Sequence, residues 1–416
     1  MKKPSQRRKG ANDLDPPIDL RLPPPLRLRG FARVIFLGTL LFVSNLARAA
    51  SPDQEFRGAW VATVYNLDWP SRPGLPVATQ KAQLRAILDR ARELKLNAIL
   101  FQVRPACDAL YSSKLEPWSR VLTGKEGASP GYDPLEFAVE EAHARGLELH
   151  AWFNPFRAAT SAKGPFAANH VSRTHPDWVR PFGSQLWLDP GEPAARQYVL
   201  DVMLDVVRRY DIDGLHIDDY FYAYPLKKGD AIFPDDATWQ EHGEASGMSR
   251  PDWRRENINQ FVSALHSGIQ RTKSSVKFGI SPFGIWRPRN PETIQADLDA
   301  YAQLFADSRK WLASGWCDYL SPQLYWGIEP AKQSFPVLLD WWRAQSRGVP
   351  IWPGIATERI GSSRPASEMI RQIELIRQGT STPGHIHWSV KSLMRNQGGI
   401  ADLLTAGPYA EGAKAR

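Results

Sequence analysis

The stretch DGLHIDDYFYAYP, residues 213–225, is the most informative segment of the chain, because it has the pattern of a strand that ends in two adjacent carboxyl groups. Successive side chains of a strand point to opposite faces. Leu215 and Ile217 therefore share one face, whereas His216 and Asp218 share the other. A face that carries His and Asp is costly to bury without partners, so we expect it to line a site. The alternative is a solvent-exposed strand end whose aspartate caps a turn.

Aromatic residues surround this pair of acids. Asp218 and Asp219 are followed at once by Tyr220, Phe221 and Tyr222, with Tyr224 two residues later. Flat apolar rings suit the faces of sugars, and carboxyl groups are the side chains that cleave glycosidic bonds. The segment therefore favours a carbohydrate-cleaving cleft.

Strand-like and helical patterns alternate along the rest of the chain. Apolar runs predict strands over 58–64, 97–103, 147–153, 213–218, 277–281, 317–325, 351–356 and 385–390. Helical spacing predicts helices over 81–94, 134–145, 194–210, 254–272, 298–312, 335–345 and 367–377. Eight strands that alternate with helices predict a single α/β domain, a (β/α)8 TIM barrel with long loops after the strands. A doubly wound open sheet is the alternative, but no glycine fingerprint follows the first strand.

The same alternation places polar side chains on one face of several other strands. These residues are Gln102 with Arg104, His150 with Trp152 and Asn154, Tyr319 with Ser321, Gln323 and Tyr325, and His385 with His387. Because active sites of such barrels lie at the carboxyl ends of the strands, we expect these groups to converge near one mouth. A metal site built from His150, His216, Asp218 and His387 is the competing interpretation. No HExxH motif supports it, and we expect no metal and no cofactor.

The basic charge of the chain is concentrated at its beginning. Residues 1–50 contain ten Lys and Arg but three Asp and Glu, whereas the remainder has 42 basic and 41 acidic residues. We therefore expect no nucleic-acid partner. A basic, proline-rich start, an apolar run over 34–43 and Ala47-Arg48-Ala49 predict an export signal over 1–50, with the mature chain starting near Ala50 or Ser51. The expected location is periplasmic or extracellular, without a stable membrane span after cleavage. The two cysteines, Cys107 and Cys317, do not make a disulfide scaffold.

Six segments in order resemble the glycosyl hydrolase-like 10 family of secreted bacterial (β/α)8 enzymes. They are FRGAWVATVYNLDWPS, NAILFQVRPACDALYSSKLEPWSRVLTG, GYDPLEFAVEEAHARGLELHAWFNPFR, DGLHIDDYFYAYP, FGISPFGIWR and DYLSPQLYW, which lie between about residues 55 and 390. The resemblance implies a glycosidase domain over 52–392, followed by a tail over 393–416. It also implies a polysaccharide substrate, with peptide-free peptidoglycan glycan strands as the leading choice. Cys107 stands where that family is expected to have Gly.

Asp218 is the expected central carboxyl, as nucleophile or as the group that orients an attacking N-acetyl oxygen. DGLHIDD also resembles the DGxDxDxE strand of chitinase-like barrels, with Tyr220 in place of their acidic Glu. Asp219 is expected to fix a loop or to bind a sugar hydroxyl. Asp108 and Glu358 are the candidate general acids, although Arg104 could hold Asp108 in an ion pair. The residues expected to bind substrate are Arg104, His150, Trp152, Asn154, Arg157, His216, Tyr220, Tyr222, Trp286, Gln323, Tyr325 and Trp326.

Two other functions remain open from the sequence. The segment KFGISPF on the fifth strand has no carboxyl group, which motivates a non-catalytic glycan-binding barrel. The histidines motivate a metal-dependent polysaccharide deacetylase.

Overall fold

A computed structural model describes residues 54–226 and 233–413 of the 416-residue chain. The predicted export signal and its cleavage position lie outside the described residues. The strands of the described part are β1 (Phe56–Val61), β2 (Ala98–Arg104), β3 (Glu148–Phe153), β4 (Arg157–Ala159), β5 (Val179–Phe182), β6 (Gln185–Leu188), β7 (Gly214–Ile217), β8 (Lys277–Ile280), β9 (Tyr319–Leu320), β10 (Gly354–Ile355) and β11 (Gly384–His387).

Eight of these strands form one parallel sheet in the order β10-β11-β1-β2-β3-β7-β8-β9. Its two end strands also meet. The amide of Leu320 donates to the carbonyl of Pro350 at 2.9 Å, and the amide of Trp352 donates back to Leu320 at 2.9 Å. The sheet therefore curls into a (β/α)8 barrel, which confirms the predicted fold, and the open-sheet alternative is wrong. Strands β4, β6 and β5 form a separate antiparallel sheet.

The helices pack around the barrel and between its loops. They are α1 (Val77–Glu93), α2 (Arg120–Thr123), α3 (Pro134–His143), α4 (Val171–Thr174), α5 (Pro193–Arg209), α6 (Asp236–His242), α7 (Arg250–Thr272), α8 (Ala300–Gln303), α9 (Ser308–Ala313), α10 (Phe335–Gln345), α11 (Ala366–Arg377), α12 (Val390–Met394) and α13 (Ile400–Ala406). Among the described residues, no helix is both long enough and apolar enough to cross a bilayer.

Local sequence explains where helices begin and break. Helix α3 begins as predicted, because the Asp133 carboxylate accepts hydrogen bonds from the amides of Leu135 and Glu136 at 3.0 and 3.1 Å. The single helix predicted over 298–312 is instead two short helices, α8 and α9. Between them Phe305 has a φ of 54°, which no helix residue adopts.

The core has two parts. The larger part lies between the sheet and the helices, and the smaller part fills the barrel with the rings of Phe56, Trp60, Trp152, Tyr319 and Trp352. The barrel is therefore a packed interior, and any site must lie at one of its ends.

The residues after α13 pack against the outer side of β11, in the part of the core between the sheet and the helices. The Tyr409 side chain is fully buried there, and its hydroxyl lies 2.8 Å from Nε2 of His387. Ile386 points into the barrel interior, so His385 and His387 point towards the helices, and the expectation that they face the mouth is wrong. The guanidinium of Arg57 stacks on the Tyr409 ring at 4.6 Å. Cys107 and Cys317 are both buried and unpaired.

Replacing Gly279 by Ala is expected to lower the free energy of unfolding by about 3 kcal/mol, because a methyl group cannot fit into this interior. It would lie 1.9 Å from Cζ of the fully buried Tyr319 ring. Urea denaturation measures the loss. Gly412→Ala is the matched control, since its new methyl group has no atom within 4 Å. An equally stable Gly279→Ala protein would contradict the packing described for the interior.

Candidate active site

A cleft of about 190 Å³ opens at the carboxyl ends of the barrel strands. Asp218 and Asp219, just after β7, lie in it together, because the strand ends at Ile217 and strict alternation ends with it. The other lining residues are Trp60, Trp152, Tyr220, Tyr224, Ser281, Gln323, Tyr325 and Trp388. The cleft thus combines two buried carboxyl groups with a wall of aromatic rings.

The two oxygens of Asp218 have different surroundings. Oδ2 accepts hydrogen bonds from Nε1 of Trp152 at 2.9 Å and from Nδ2 of Asn154 at 2.6 Å. Oδ1 accepts only a longer bond, 3.2 Å, from the backbone amide of Tyr220. Two donors hold Oδ2 in place, and Oδ1 is the oxygen with free hydrogen-bonding capacity.

A row of amides fixes the orientation of Asn154. Oε1 of Gln102 accepts hydrogen bonds from the amides of Thr63 and Val64 at 2.8 and 2.9 Å. Its Nε2 must therefore be the end that donates to Oδ1 of Asn154. Asn154 in turn has only its Nδ2 to offer to Asp218. The backbone amides of the loop after β1 thus determine that Asn154 donates its hydrogen bond to Asp218, just after β7.

Burial and mutual repulsion govern the ionisation of the pair. Burial, followed by the charge of Asp219, raises the pKa of Asp218 to about 8, although Arg157 and the bond from Trp152 oppose this shift. Burial also raises the pKa of Asp219, against the hydrogen bonds from Tyr224 and Gln323. At neutral pH the pair therefore holds a proton.

Arg157 places a positive charge near Asp218 and Asp219, and its side chain is held in position by hydrogen bonds. Its Nε and Nη2 donate to the carbonyl of Pro105 at 3.0 and 2.9 Å. Its guanidinium lies 4.4 Å from the centre of the Tyr220 ring, which also stacks on Trp187 with ring centres 5.8 Å apart. Arg157 therefore supports Tyr220, which lines the cleft, and does not line the cleft itself.

Trp388 is the centre of the aromatic wall. The rings of Trp60 and Trp152 each meet it edge-on at 6.0 Å, and Tyr325 lies nearly parallel to it at 6.4 Å. Trp60, Ser281 and Trp388 were not predicted from the sequence, and Tyr224 was predicted only as one of the aromatic residues beside the two acids. Alternation along β1 would have placed Trp60 inside the barrel, whereas Trp388 comes after the end of β11 and has no such signal.

Neither of the two candidate general acids lines the cleft with Asp218. Glu358 is at the rim, where its side chain is 42% exposed and its Oε2 accepts a hydrogen bond of 3.1 Å from Nε1 of Trp388. Asp108 lines a separate cavity of about 230 Å³ together with Arg120 and Glu126. Burial and the charge of Glu126 raise the pKa of Asp108 to about 7.

Arg104 does not pair with Asp108, so that predicted alternative is wrong. Its Nε and Nη2 bind the carboxylate of Glu116 at 2.7 to 3.0 Å, and both side chains are fully buried. Nη1 donates to the carbonyls of Asn154 and Pro155 at 2.7 and 2.9 Å. Arg104 thus holds the loop that carries Asn154, and it does not line the cleft.

Seven other residues predicted to bind substrate also do not line the cleft. Two of them, Asn154 and Arg157, contact residues that do line it, Asp218 and Tyr220. His150 and His216 are in the barrel interior, bonded to the hydroxyl of Tyr319. Tyr222, Trp286 and Trp326 pack against other rings of the loops. Within residues 54–226 and 233–413, no group of three or more His, Cys, Asp or Glu is placed to hold a metal ion.

Comparisons with known proteins agree with this geometry. The family model described as glycosyl hydrolase-like 10 matches residues 55–369. The glycosyl hydrolase YngK of Bacillus subtilis is 40% identical over 393 residues, which cover 91% of this chain and 76% of the relative. The glycosyl hydrolase DigH of Escherichia coli K12 is 36% identical over 338 residues, which cover 76% of each protein.

Solved structures show the same fold at low sequence identity. The glycoside hydrolase domain of PgaB (BpsB) from Bordetella bronchiseptica has a TM-score of 0.55 and 13% identity, and the match covers 84% of this chain and 98% of that one. The catalytic domain of β-amylase from Paenibacillus polymyxa has a TM-score of 0.51 and 11% identity, with 84% and 95% covered.

Proposed function

The chain belongs to the glycosyl hydrolase-like 10 family, and we propose that it hydrolyses glycosidic bonds in a cell-envelope polysaccharide. One observation supports this proposal more than any other. A pair of buried carboxyl groups, Asp218 and Asp219, shares a cleft with aromatic rings at the carboxyl face of the barrel. Glycosidic cleavage needs one carboxyl group that holds a proton near neutral pH and one negative charge close to it.

In this proposal Asp218 is the proton donor. It carries a proton because burial and Asp219 raise its pKa, and Oδ1 has room for the oxygen of the leaving sugar. When the proton leaves, the charge of the new carboxylate is stabilised by the two donors already bound to Oδ2, Trp152 and Asn154. The hydrogen bonds from Asn154 and Trp152 are therefore strongest once Asp218 has given up its proton. They lower the free energy of the Asp218 carboxylate that forms in this step.

Asp219 supplies the negative charge of the pair. Its carboxylate is held by the hydroxyl of Tyr224, so it can face the positive charge that develops on the sugar ring. A water molecule then bonds to the anomeric carbon, and the proton that it releases restores the acid form of Asp218. Arg157 limits the repulsion between the two carboxyl groups. Trp388, with Trp60, Trp152 and Tyr325 around it, offers an apolar face on which a sugar can stack.

The proposed substrate is the peptide-free glycan strand of peptidoglycan, and the proposed location is outside the cytoplasm. The resemblance of the six sequence segments supports the substrate, and the basic start with its apolar run over 34–43 supports export.

Digestion of purified sacculi, with and without prior removal of the stem peptides, tests this function. New reducing ends from the peptide-free material are expected. Release of acetate would instead identify a deacetylase. Binding without any product would identify a glycan-binding barrel, an alternative that rests on the cleft having only two carboxyl groups among its lining residues, both from one loop.

Activity is expected to fall as the pH rises through about 8, because proton donation by Asp218 requires its protonated form. Initial rates of reducing-end release between pH 5 and 10 measure this alkaline limb. In Asp219→Asn the repulsion on Asp218 is removed, so whatever activity remains should fall at a lower pH than in the wild type. If activity falls at the same pH in Asp219→Asn and in the wild type, the proposed effect of Asp219 on the pKa of Asp218 is contradicted.

A further inference from the structure

A continuous line of hydrogen bonds runs through the barrel interior and ends at the cleft. Oε2 of Glu148 lies 3.1 Å from Nε2 of His150, whose Nδ1 lies 2.8 Å from the hydroxyl of Tyr319. The same hydroxyl lies 3.0 Å from Nδ1 of His216, whose Nε2 lies 2.9 Å from Oγ of Ser281. We name Glu148, His150, Tyr319, His216 and Ser281 the barrel relay. The mechanism proposed above makes no use of it.

Glycines on neighbouring strands make room for the barrel relay. A Cβ atom at Gly214 would lie 2.3 Å from Nδ1 of His150, and one at Gly279 would lie 2.3 Å from the hydroxyl of Tyr319. Gly214 pairs with His150 in the sheet, and Gly279 pairs with both His216 and Tyr319. The sheet thus leaves out side chains where the rings of the relay need space.

The charge of Glu148, at the end of the relay away from the cleft, determines which partner donates in each of its hydrogen bonds. Burial alone would raise the pKa of Glu148, but hydrogen bonds from His150 and Lys277 hold it below its ordinary value. Nζ of Lys277 lies 2.8 Å from its Oε1. Glu148 is therefore ionised and can only accept hydrogen bonds.

Lys277 already balances the charge of Glu148, so the fully buried His150 has no counter-charge left for a second ring proton. The remaining directions follow, because an imidazole with one ring proton has one N–H and one acceptor nitrogen. Nε2 of His150 donates to Glu148, so its Nδ1 accepts from the hydroxyl of Tyr319. That hydroxyl oxygen then accepts from Nδ1–H of His216, and Nε2 of His216 accepts from the hydroxyl of Ser281. Burial lowers the pKa of His216 far below its ordinary value, which keeps it neutral.

Ser281 is the residue through which the relay reaches the cleft. It lines the cleft beside Asp218 and Asp219. Its carbonyl accepts a hydrogen bond of 3.0 Å from Nε2 of Gln323, which also contacts Asp219. Because its own hydrogen points back to His216, its Oγ has only acceptor capacity left for a ligand.

We infer that Ser281 is a specificity-determining acceptor, which the barrel relay holds in one direction so that it binds a hydrogen-bond donor of the sugar beside Asp218 and Asp219. The donor is a hydroxyl or the N–H of a 2-acetamido group. This inference rests on the proposed function for its ligand, but not for the direction of the relay. His216 and Tyr319 are positioning residues, because they act through Ser281.

Nitrogen-15 spectra of protein labelled at its nine histidines test the direction without any substrate. His150 is expected as the neutral Nε2–H tautomer and His216 as the neutral Nδ1–H tautomer. In Tyr319→Phe the link is lost, and His216 is expected to shift towards the Nε2–H form. A wild-type His216 that is an imidazolium, or that carries its proton on Nε2, overturns the inference.

Affinities of an Asp218→Asn protein for three tetrasaccharides test the ligand. The probes are β-1,4-linked N-acetylglucosamine, glucosamine and glucose. Adding Ser281→Ala is expected to weaken binding roughly threefold to tenfold, the value of one neutral hydrogen bond. Weakening for all three probes identifies a hydroxyl donor, and weakening for the acetylated probe alone identifies the amide. Probes that bind equally with and without Ser281 overturn the inference but leave the proposed function standing, whereas failure of every probe to bind contradicts both.

Discussion

The Asp218→Asn protein is expected to release reducing ends from peptide-free glycan strands about 10³-fold more slowly than the wild type, in kcat. Asn has nearly the same shape as Asp but cannot hold or release the proton that the leaving oxygen needs. Its amide also presents a donor or an acceptor to Trp152 and Asn154, never the anion that those two groups stabilise. Asp297→Asn is the matched control, because Asp297 is exposed on the surface, and it is expected to retain the wild-type rate.

The fold of Asp218→Asn can be checked through the pH dependence of its stability. The pKa of Asp218 is raised in the folded chain to about 8, so its contribution to stability is complete at low pH. That contribution is lost as the pH rises from about 4, the unfolded pKa, to about 8. The Asn variant lacks this loss and should be at least as stable as the wild type at pH 8. A folded variant with the wild-type rate would show that Asp218 is not the central acid.

Replacing Glu116 by Ala is expected to lower the free energy of unfolding by about 3–5 kcal/mol, because it leaves the guanidinium of Arg104 buried without its counter-charge. Both side chains have no solvent exposure, and three bonds of 2.7 to 3.0 Å join them. Chemical denaturation measures the loss. Activity should fall as well, since Arg104 holds the backbone of Asn154.

Two further variants show whether Glu116→Ala loses stability because the charge of Arg104 is left unpaired or because side-chain packing is lost. The double variant Arg104→Met with Glu116→Leu removes both charges, so it should be more stable than Glu116→Ala. Glu329→Ala removes a surface ion pair with Arg371, whose partners are 78% and 54% exposed, and should cost less than about 1 kcal/mol. A Glu116→Ala protein that loses no more stability than Glu329→Ala would contradict the account of the Arg104 pair.

The barrel was predictable because its strands follow simple rules of burial and alternation. Helix α3 and its Asp133 cap are local features, and local features can be recognised in sequence. The rule that successive side chains point to opposite faces no longer holds where a strand ends. Asp219 shares the cleft with Asp218 because β7 ends at Ile217, and Trp388 enters the cleft after the end of β11.

Position along a strand also decides whether a polar side chain reaches the cleft. A strand rises about 3.3 Å for each residue, so His150 lies roughly 13 Å below Asn154 and His216 roughly 7 Å below Asp218. Residues of one polar face therefore divide into those at the mouth and those in the interior. The partner of Arg104 could not be read from spacing, because Glu116 comes from a long loop whose path depends on the whole barrel.

The structure of the Asp218→Asn protein in complex with a peptide-free glycan fragment tests the central claim most directly. The account predicts a glycosidic oxygen within about 3 Å of the residue 218 side-chain atom that replaces Oδ1, the reach of a general acid. It also predicts a sugar ring against Trp388, with the carboxylate of Asp219 close to the same ring. A glycan bound only in the separate cavity at Asp108, with no sugar at residue 218, would contradict the account.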